Sequence, residues 1–172
     1  FRNVTGVQTC ALPIWPALVC TPLLAYVDHF FTTRAWTLGA AQRGAAGSGV
    51  AHDGVQAWGE VAEAIGVAPR ALIRLHQVHG RAVIVAEDGA APDAALPDAD
   101  IVLSANPSLA ITVQSADCVP LLIVDPETGI AAAAHMGWRG MVARVPEATF
   151  EALSRGYRIP PERLLVAAGP SI

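Results

Sequence analysis

Three residues of this chain have the types and the spacing to hold a metal ion: His79, Cys118 and His135. Leu121–Asp125 reads as a strand, Pro126-Glu127-Thr128-Gly129 as a turn, and Ile130–Ala134 as a second strand, so the stretch predicts a β-hairpin. With the turn centred near Glu127, paired residue numbers sum to about 254, and Cys118 falls opposite His135 or its neighbour. Directly opposed residues hold their Cβ atoms about 5 Å apart. A thiol and an imidazole therefore meet at the open end of one hairpin. The run His76-Gln77-Val78-His79-Gly80 offers a third donor. Two histidines three apart on a strand face opposite ways, so one of them reaches the site. Gly80 predicts a sharp turn or a close backbone approach just after His79, which makes His79 the expected ligand. One Cys with two His is a soft-and-borderline donor set suited to Zn²⁺. Three protein ligands leave one coordination position open, where a zinc-bound water has a pKa of about 7. Other uses of these residues stay open: a structural zinc that adds His76 as a fourth ligand, without catalysis, and a metal-free hydrolase with Cys118 as nucleophile and His135 as base.

The elements that must carry these residues follow from periodicity. Leu24–Arg34 reads as a strand-like opening with Tyr26, Phe30 and Phe31. Gly39–Gly54, rich in Gly and Ala, reads as a mobile loop. Val55, Trp58, Val61, Ala62 and Ile65 recur at helical spacing and Gly66 stops them. Ala71–Val85 looks mostly extended, Asp88–Asp98 is a loop, and Asp100–Leu103 and Leu109–Gln114 read as buried strands. After the hairpin, Gly137–Gly140 leads into a helix over about Met141–Arg155, with Val142, Val145, Thr149 and Leu153 on one face. Pro146 fits such a helix only near its first turn or with a kink. Leu164–Ala168 is a last strand. Strands mixed with helices, with at least one antiparallel hairpin, predict a single α/β (α+β) domain with mixed β-sheets.

Composition narrows the functional classes. The chain has 172 residues, 53% of them hydrophobic and 15% charged, so it reads as one globular domain with a sizeable core. A net charge of -4 with no basic stripe disfavours a nucleic-acid partner. All 11 basic residues are arginine, which excludes a P-loop lysine or a Schiff-base lysine within this segment. Three widely spaced cysteines, Cys10, Cys20 and Cys118, form no disulfide framework and point to a reducing cytoplasm. Cys10–Val27 is strongly apolar, but Pro13, Pro16 and Pro22 argue against a spanning helix, and no membrane partner is expected. Val4–Ile14 reads as an in-frame translation of a sequencing-adapter oligonucleotide, so residues 1–14 are set aside from the fold and 15–172 are taken as the domain. Nothing here specifies an oligomeric state.

Gln77-Val78-His79-Gly80, Ala116-Asp117-Cys118-Val119-Pro120 and Ala134-His135-Met136-Gly137-Trp138-Arg139-Gly140 closely resemble, in order, three motifs of the YfiH/laccase-domain family. Phe30-Phe31-Thr32-Thr33-Arg34 resembles its N-terminal motif, and Gly169-Pro170-Ser171-Ile172 the start of a later one, so the likeness covers about residues 20–172. The resemblance implies an α/β fold with mixed sheets and zinc on His79, Cys118 and His135. It implies phosphorolysis of the purine nucleosides adenosine, inosine, guanosine and methylthioadenosine, with adenosine deaminase activity besides. Phosphorolysis needs an anion site. Arg139, before a predicted helix, is the candidate for phosphate and Arg34 a second one. Asp117 is a candidate proton carrier or ligand-orienting group, and Gln77 a candidate substrate contact or a support behind the metal ligands. The family's laccase name raises copper and polyphenol oxidation as the alternative. Against it, the chain has five histidines and no His-x-His pair. Ala35-Trp36-Thr37-Leu38 departs from the family pattern, and the family pattern continues past Ile172, so the domain is expected to be incomplete at its C-terminal end.

Overall fold

The computed structural model describes residues 17–32, 55–89 and 95–172. The adapter-like residues 1–14, the expected loop at Gly39–Gly54 and the candidate Arg34 lie outside the described residues. Of the strand-like opening expected at Leu24–Arg34, the described part forms a strand only at β2 (Phe31–Thr32), which pairs antiparallel with β1 (Ala17–Leu18), ahead of the expected stretch. A 3₁₀ turn at Thr21–Leu23 lies between them, and Leu23 is buried under Val124 and Ala167. The helix α1 (Val55–Ile65) forms as its spacing predicts. Gly66 ends it with φ 78°, a conformation that favours glycine. Trp58, Val61 and Ala62 of α1 bury against Leu72 of β3 (Leu72–Ile73), and the Arg74 guanidinium lies 4.4 Å from the Trp58 ring centroid. The expected extended run to Val85 is broken. After β3 comes one bridge, His76 to Asp98, and then β4 (Val83–Val85).

The main sheet joins β4 to β5 (Ile101–Ser104), β7 (Val119–Val124), β8 (Ala131–Met136) and β9 (Leu165–Ala168), in the order β4-β5-β8-β7-β9. β4 and β5 run parallel and the other pairs antiparallel. Between β5 and β7 the chain passes through β6 (Ala110–Ile111), which pairs in parallel with β3. The observed fold is therefore an α/β domain with mixed sheets.

Side-chain alternation sorts the strand residues onto two faces. Ile101, Leu103, Leu121, Ile123, Ala132 and Ala134 pack on Val145, Ala148 and Leu153, which lie on the helix that follows the hairpin. Val102 and Ala133 face the other way, onto Ile73, Leu75 and Ala99. That helical segment differs from the single run expected. It is split into α2 (Trp138–Val142) and α3 (Val145–Tyr157) by Arg144 at φ 63°. The split leaves Pro146 in the first turn of α3, where its missing N–H costs nothing. Val145, Thr149 and Leu153 face the core as predicted, whereas Val142 belongs to α2 and is exposed. No helix among the described residues is long and apolar enough to cross a membrane.

Candidate metal centre

The hairpin register decides where the thiol and the imidazole stand. Pro126–Gly129 forms the turn, closed by Gly129 N–H donating to the Asp125 carbonyl and Asp125 N–H to that of Ile130, both at 2.9 Å. Gly129 takes φ 74° there. The turn is thus centred between Glu127 and Thr128, half a residue beyond Glu127. Pro120 pairs with His135, and Val119 with Met136. The expected pairing is one step out: Cys118 stands level with Gly137, diagonal to His135. The alternation still places the two donors together. Val119 and Met136 pack into the α3-side core, so Cys118 and His135 are left on the opposite face.

The third donor arrives from the loop before β4. The ligand atoms of His79, Cys118 and His135 all lie within 4.8 Å of one another. The His79 and His135 rings meet edge to face with centroids 4.8 Å apart. His79 is exposed, Cys118 half-buried and His135 buried, and all three line one cleft. His76 is not in it. Its Nδ1 pairs with Asp98 Oδ1 at 2.7 Å, both side chains being well exposed. The sharp turn expected at Gly80 falls one residue earlier, with His79 itself in the left-handed region at φ 60°. The donor set fits a borderline cation: one thiol and two imidazoles within reach of a common centre, on a face with room for a further ligand.

A buried aspartate that the sequence reading passed over lies behind the two histidines. Asp100, at the entry to β5, is fully buried. Its Oδ1 accepts from the His79 N–H at 3.0 Å and from His135 Nδ1 at 2.8 Å. Its Oδ2 accepts from the amides of Gly80 at 2.7 Å and Val78 at 3.2 Å. Burial pushes the Asp100 carboxyl up, but the His135 ring and the Gly80, Val78 and His79 amides outweigh it and hold it below the ordinary carboxylate range. A carboxylate only accepts, so this contact calls for a proton on His135 Nδ1, which would leave the Nε2 lone pair for a metal. The signal in the sequence was an acidic residue heading a run of buried apolar ones, Asp100-Ile101-Val102-Leu103.

Of the other predicted site residues among those described, Asp117 and Gln77 line the cleft and Arg139 does not. Asp117 is exposed and lines the same cleft as His79, Cys118 and His135. Gln77 also braces the backbone: its Nε2 donates to the Gln114 carbonyl at 2.8 Å and its Oε1 accepts from the Gln114 N–H at 2.6 Å. Both ends of the amide are thereby used by the backbone. Arg139 lies with its guanidinium 4.5 Å from the Trp138 ring centroid, and neither residue lines the cleft. The expected anion site at a helix N-terminus is also weakened, because α2 has only five residues.

A mixed-sheet α/β domain that brings two histidines and a cysteine to one cleft is the class defined by this fold and site. The family described as multi-copper polyphenol oxidoreductase laccase, the YfiH/laccase-domain family, matches residues 29–172, and the chain belongs to it. A purine nucleoside phosphorylase of Deinococcus radiodurans is 38% identical over 160 residues, covering 90% of this chain and 60% of that one. One from Pseudomonas aeruginosa is 44% identical over 98 residues, 57% of this chain and 37% of its own. An adenosine deaminase from an unknown prokaryotic organism is 41% identical over 81 residues, 46% of this chain and 30% of its own. Among solved structures, YlmD from Geobacillus stearothermophilus superposes with a TM-score of 0.63 at 25% identity, over 70% of this chain and 47% of that one. YfiH from Bacillus licheniformis shares the fold with a TM-score of 0.65 at 23% identity. The chain spans 60% or less of the length of each of these three relatives.

Proposed function

We propose that residues 15–172 carry the metal site of a zinc-dependent purine nucleoside phosphorylase that works in the cytoplasm. It transfers the sugar of adenosine, inosine, guanosine or methylthioadenosine from the base to inorganic phosphate, and also deaminates adenosine. The observation that carries the reading is the convergence of His79, Cys118 and His135 within 4.8 Å in the cleft. The names of the phosphorylase and deaminase relatives support the substrate class. His79, Cys118 and His135 would hold the zinc, which would supply Lewis-acid chemistry at the cleft. The chain's own groups bind and orient. Phe31, Pro120 and Pro170 line the cleft alongside the metal ligands and suit the flat face of a purine. Asp117, in the same cleft, is placed to carry a proton at its carboxylate. For phosphate, Arg139 and Arg34 remain the candidate contacts, with Arg139 handicapped by its stacking on Trp138.

The test measures release of hypoxanthine and ribose-1-phosphate from inosine, with and without phosphate, together with bound metal by elemental analysis. The Deinococcus relative serves as the positive control. Phosphate-dependent release with zinc bound is the expected result. Oxygen uptake on a phenol with copper bound would replace this reading by the oxidase, and zinc without turnover of any nucleoside would leave a binding module.

A further inference from the structure

We infer that Asp100 is the positioning residue of this site: its single carboxylate fixes the His79 loop and the His135 imidazole together, so the two histidines form one preset unit. The inference rests on the metal reading above, and its geometry stands independently of it. Three consecutive amides, those of Val78, His79 and Gly80, converge on the two Asp100 oxygens. Wrapping the backbone round one carboxylate in this way carries His79 into the left-handed region, where a residue with a side chain persists only if its surroundings hold it. Asp100 is the group that does so. The same Oδ1 that takes the His79 amide takes His135 Nδ1. A second tie, His135 N–H to the Asp100 carbonyl at 2.8 Å, locks the strand bearing the imidazole beside Asp100.

Cys118 is held by other means. It precedes β7, and the Ser115 hydroxyl donates to its carbonyl. The site therefore has two parts: a histidine pair preset by Asp100, and a thiol brought up by the hairpin. A carboxylate behind a ligating imidazole sets the tautomer and the ring orientation, and its loss typically costs 10–100-fold in metal affinity. Asp100 would do this for one ligand through its side chain and for the other through its backbone.

The first test needs no variant and no metal. In the metal-free chain with ¹⁵N-labelled histidine at about pH 8, above the ordinary imidazole pKa, long-range ¹H–¹⁵N NMR should show His135 as the Nδ1–H tautomer. An Nε2–H form or an even mixture overturns the inference. The second arm titrates zinc against a chelator and records the cobalt spectrum. Asp100→Asn keeps the shape but turns an NH₂ group toward amide donors, so two of its four partners lose their acceptor. Zinc affinity should fall about 10–100-fold, and the cobalt ligand-field bands should shift while the thiolate charge-transfer band persists. Leu153→Ala, a destabilising change in the core on the opposite face of the sheet from the ligands, should leave both unchanged. Equal losses in the two variants would mean that Asp100 acts through stability alone and would overturn the inference. Failure of the unaltered chain to take up zinc or cobalt would remove the metal reading, while the tautomer measurement still judges the role of Asp100.

Discussion

The Cys118 thiol occupies the space that a side chain at residue 137 would need. A Cβ built on Gly137 would lie 2.5 Å from Cys118 Sγ and 3.5 Å from His79 Cδ2. Gly137 has an extended φ of -90°, which any residue adopts, so the need for glycine here is steric and not conformational. Gly137→Ala should therefore fold, displace the sulfur and weaken metal binding. A chelator titration should show a loss of at least about tenfold, with little change in Tm. Unaltered affinity would place the thiol outside the donor set.

Removing a donor should be more severe than crowding one. His79→Ala, Cys118→Ala and His135→Ala should each abolish stoichiometric zinc and phosphorolysis together, because two ligands do not hold zinc tightly. Full turnover by the His79→Ala variant would overturn the ligand assignment. Turnover that survives zinc removal but is lost in Cys118→Ala would favour the nucleophilic hydrolase.

Gln77 should behave as a brace. Its amide ties the loop bearing His79 to Gln114, and each such bond is worth about 1 kcal/mol. Gln77→Ala should lower the free energy of unfolding in urea by about 1–2 kcal/mol and leave the nucleoside KM unchanged. A raised KM with unchanged stability would return Gln77 to the substrate.

Acid should loosen the far end of the hairpin. Asp125 is fully buried and accepts from Thr128 and from Arg163 Nε and Nη2, at 2.6 and 2.7 Å for the two nitrogens. Burial pushes the carboxyl up, but the Thr128 and Arg163 bonds win and hold it below its ordinary value. A depressed folded pKa means stability that is fully present above the unfolded value of about 3.9 and is lost as pH falls toward and through the folded one. The stability difference between the natural chain and Asp125→Asn, measured metal-free in urea, should thus be largest near pH 6 and shrink as the pH drops below 4. A difference that stays constant over that range would show that folding leaves the Asp125 carboxyl at its ordinary pKa.

The α3-side core should respond to truncation in proportion to its burial. Leu153 is wholly buried among Ile101, Ile123 and Ala134. Leu153→Ala should cost about 2–5 kcal/mol in urea unfolding, and a loss well below that would mean that α3 repacks against the sheet.

By itself the sequence determined the donor types, their order along the chain, the hairpin that unites Cys118 with His135, the helix α1 and the last strand. All of these rest on contacts between near neighbours or on patterns with period 2 or 3.6, which a chain declares locally. Only the tertiary structure decided the rest. The register of β7 on β8 depends on the geometry of four turn residues, and a half-residue shift of its centre moved Cys118 one step, from the level of Met136, the neighbour of His135, to that of Gly137. The break at Arg144 follows from packing α3 on the sheet with Pro146 in its first turn. The tie from Gln77 to Gln114, 37 residues away, left no local mark in the sequence. Asp100 was missed because its partners lie about 20 residues before it and 35 after it. A buried charge is tolerated only where such partners are assembled around it, and that assembly exists only once the strands have paired.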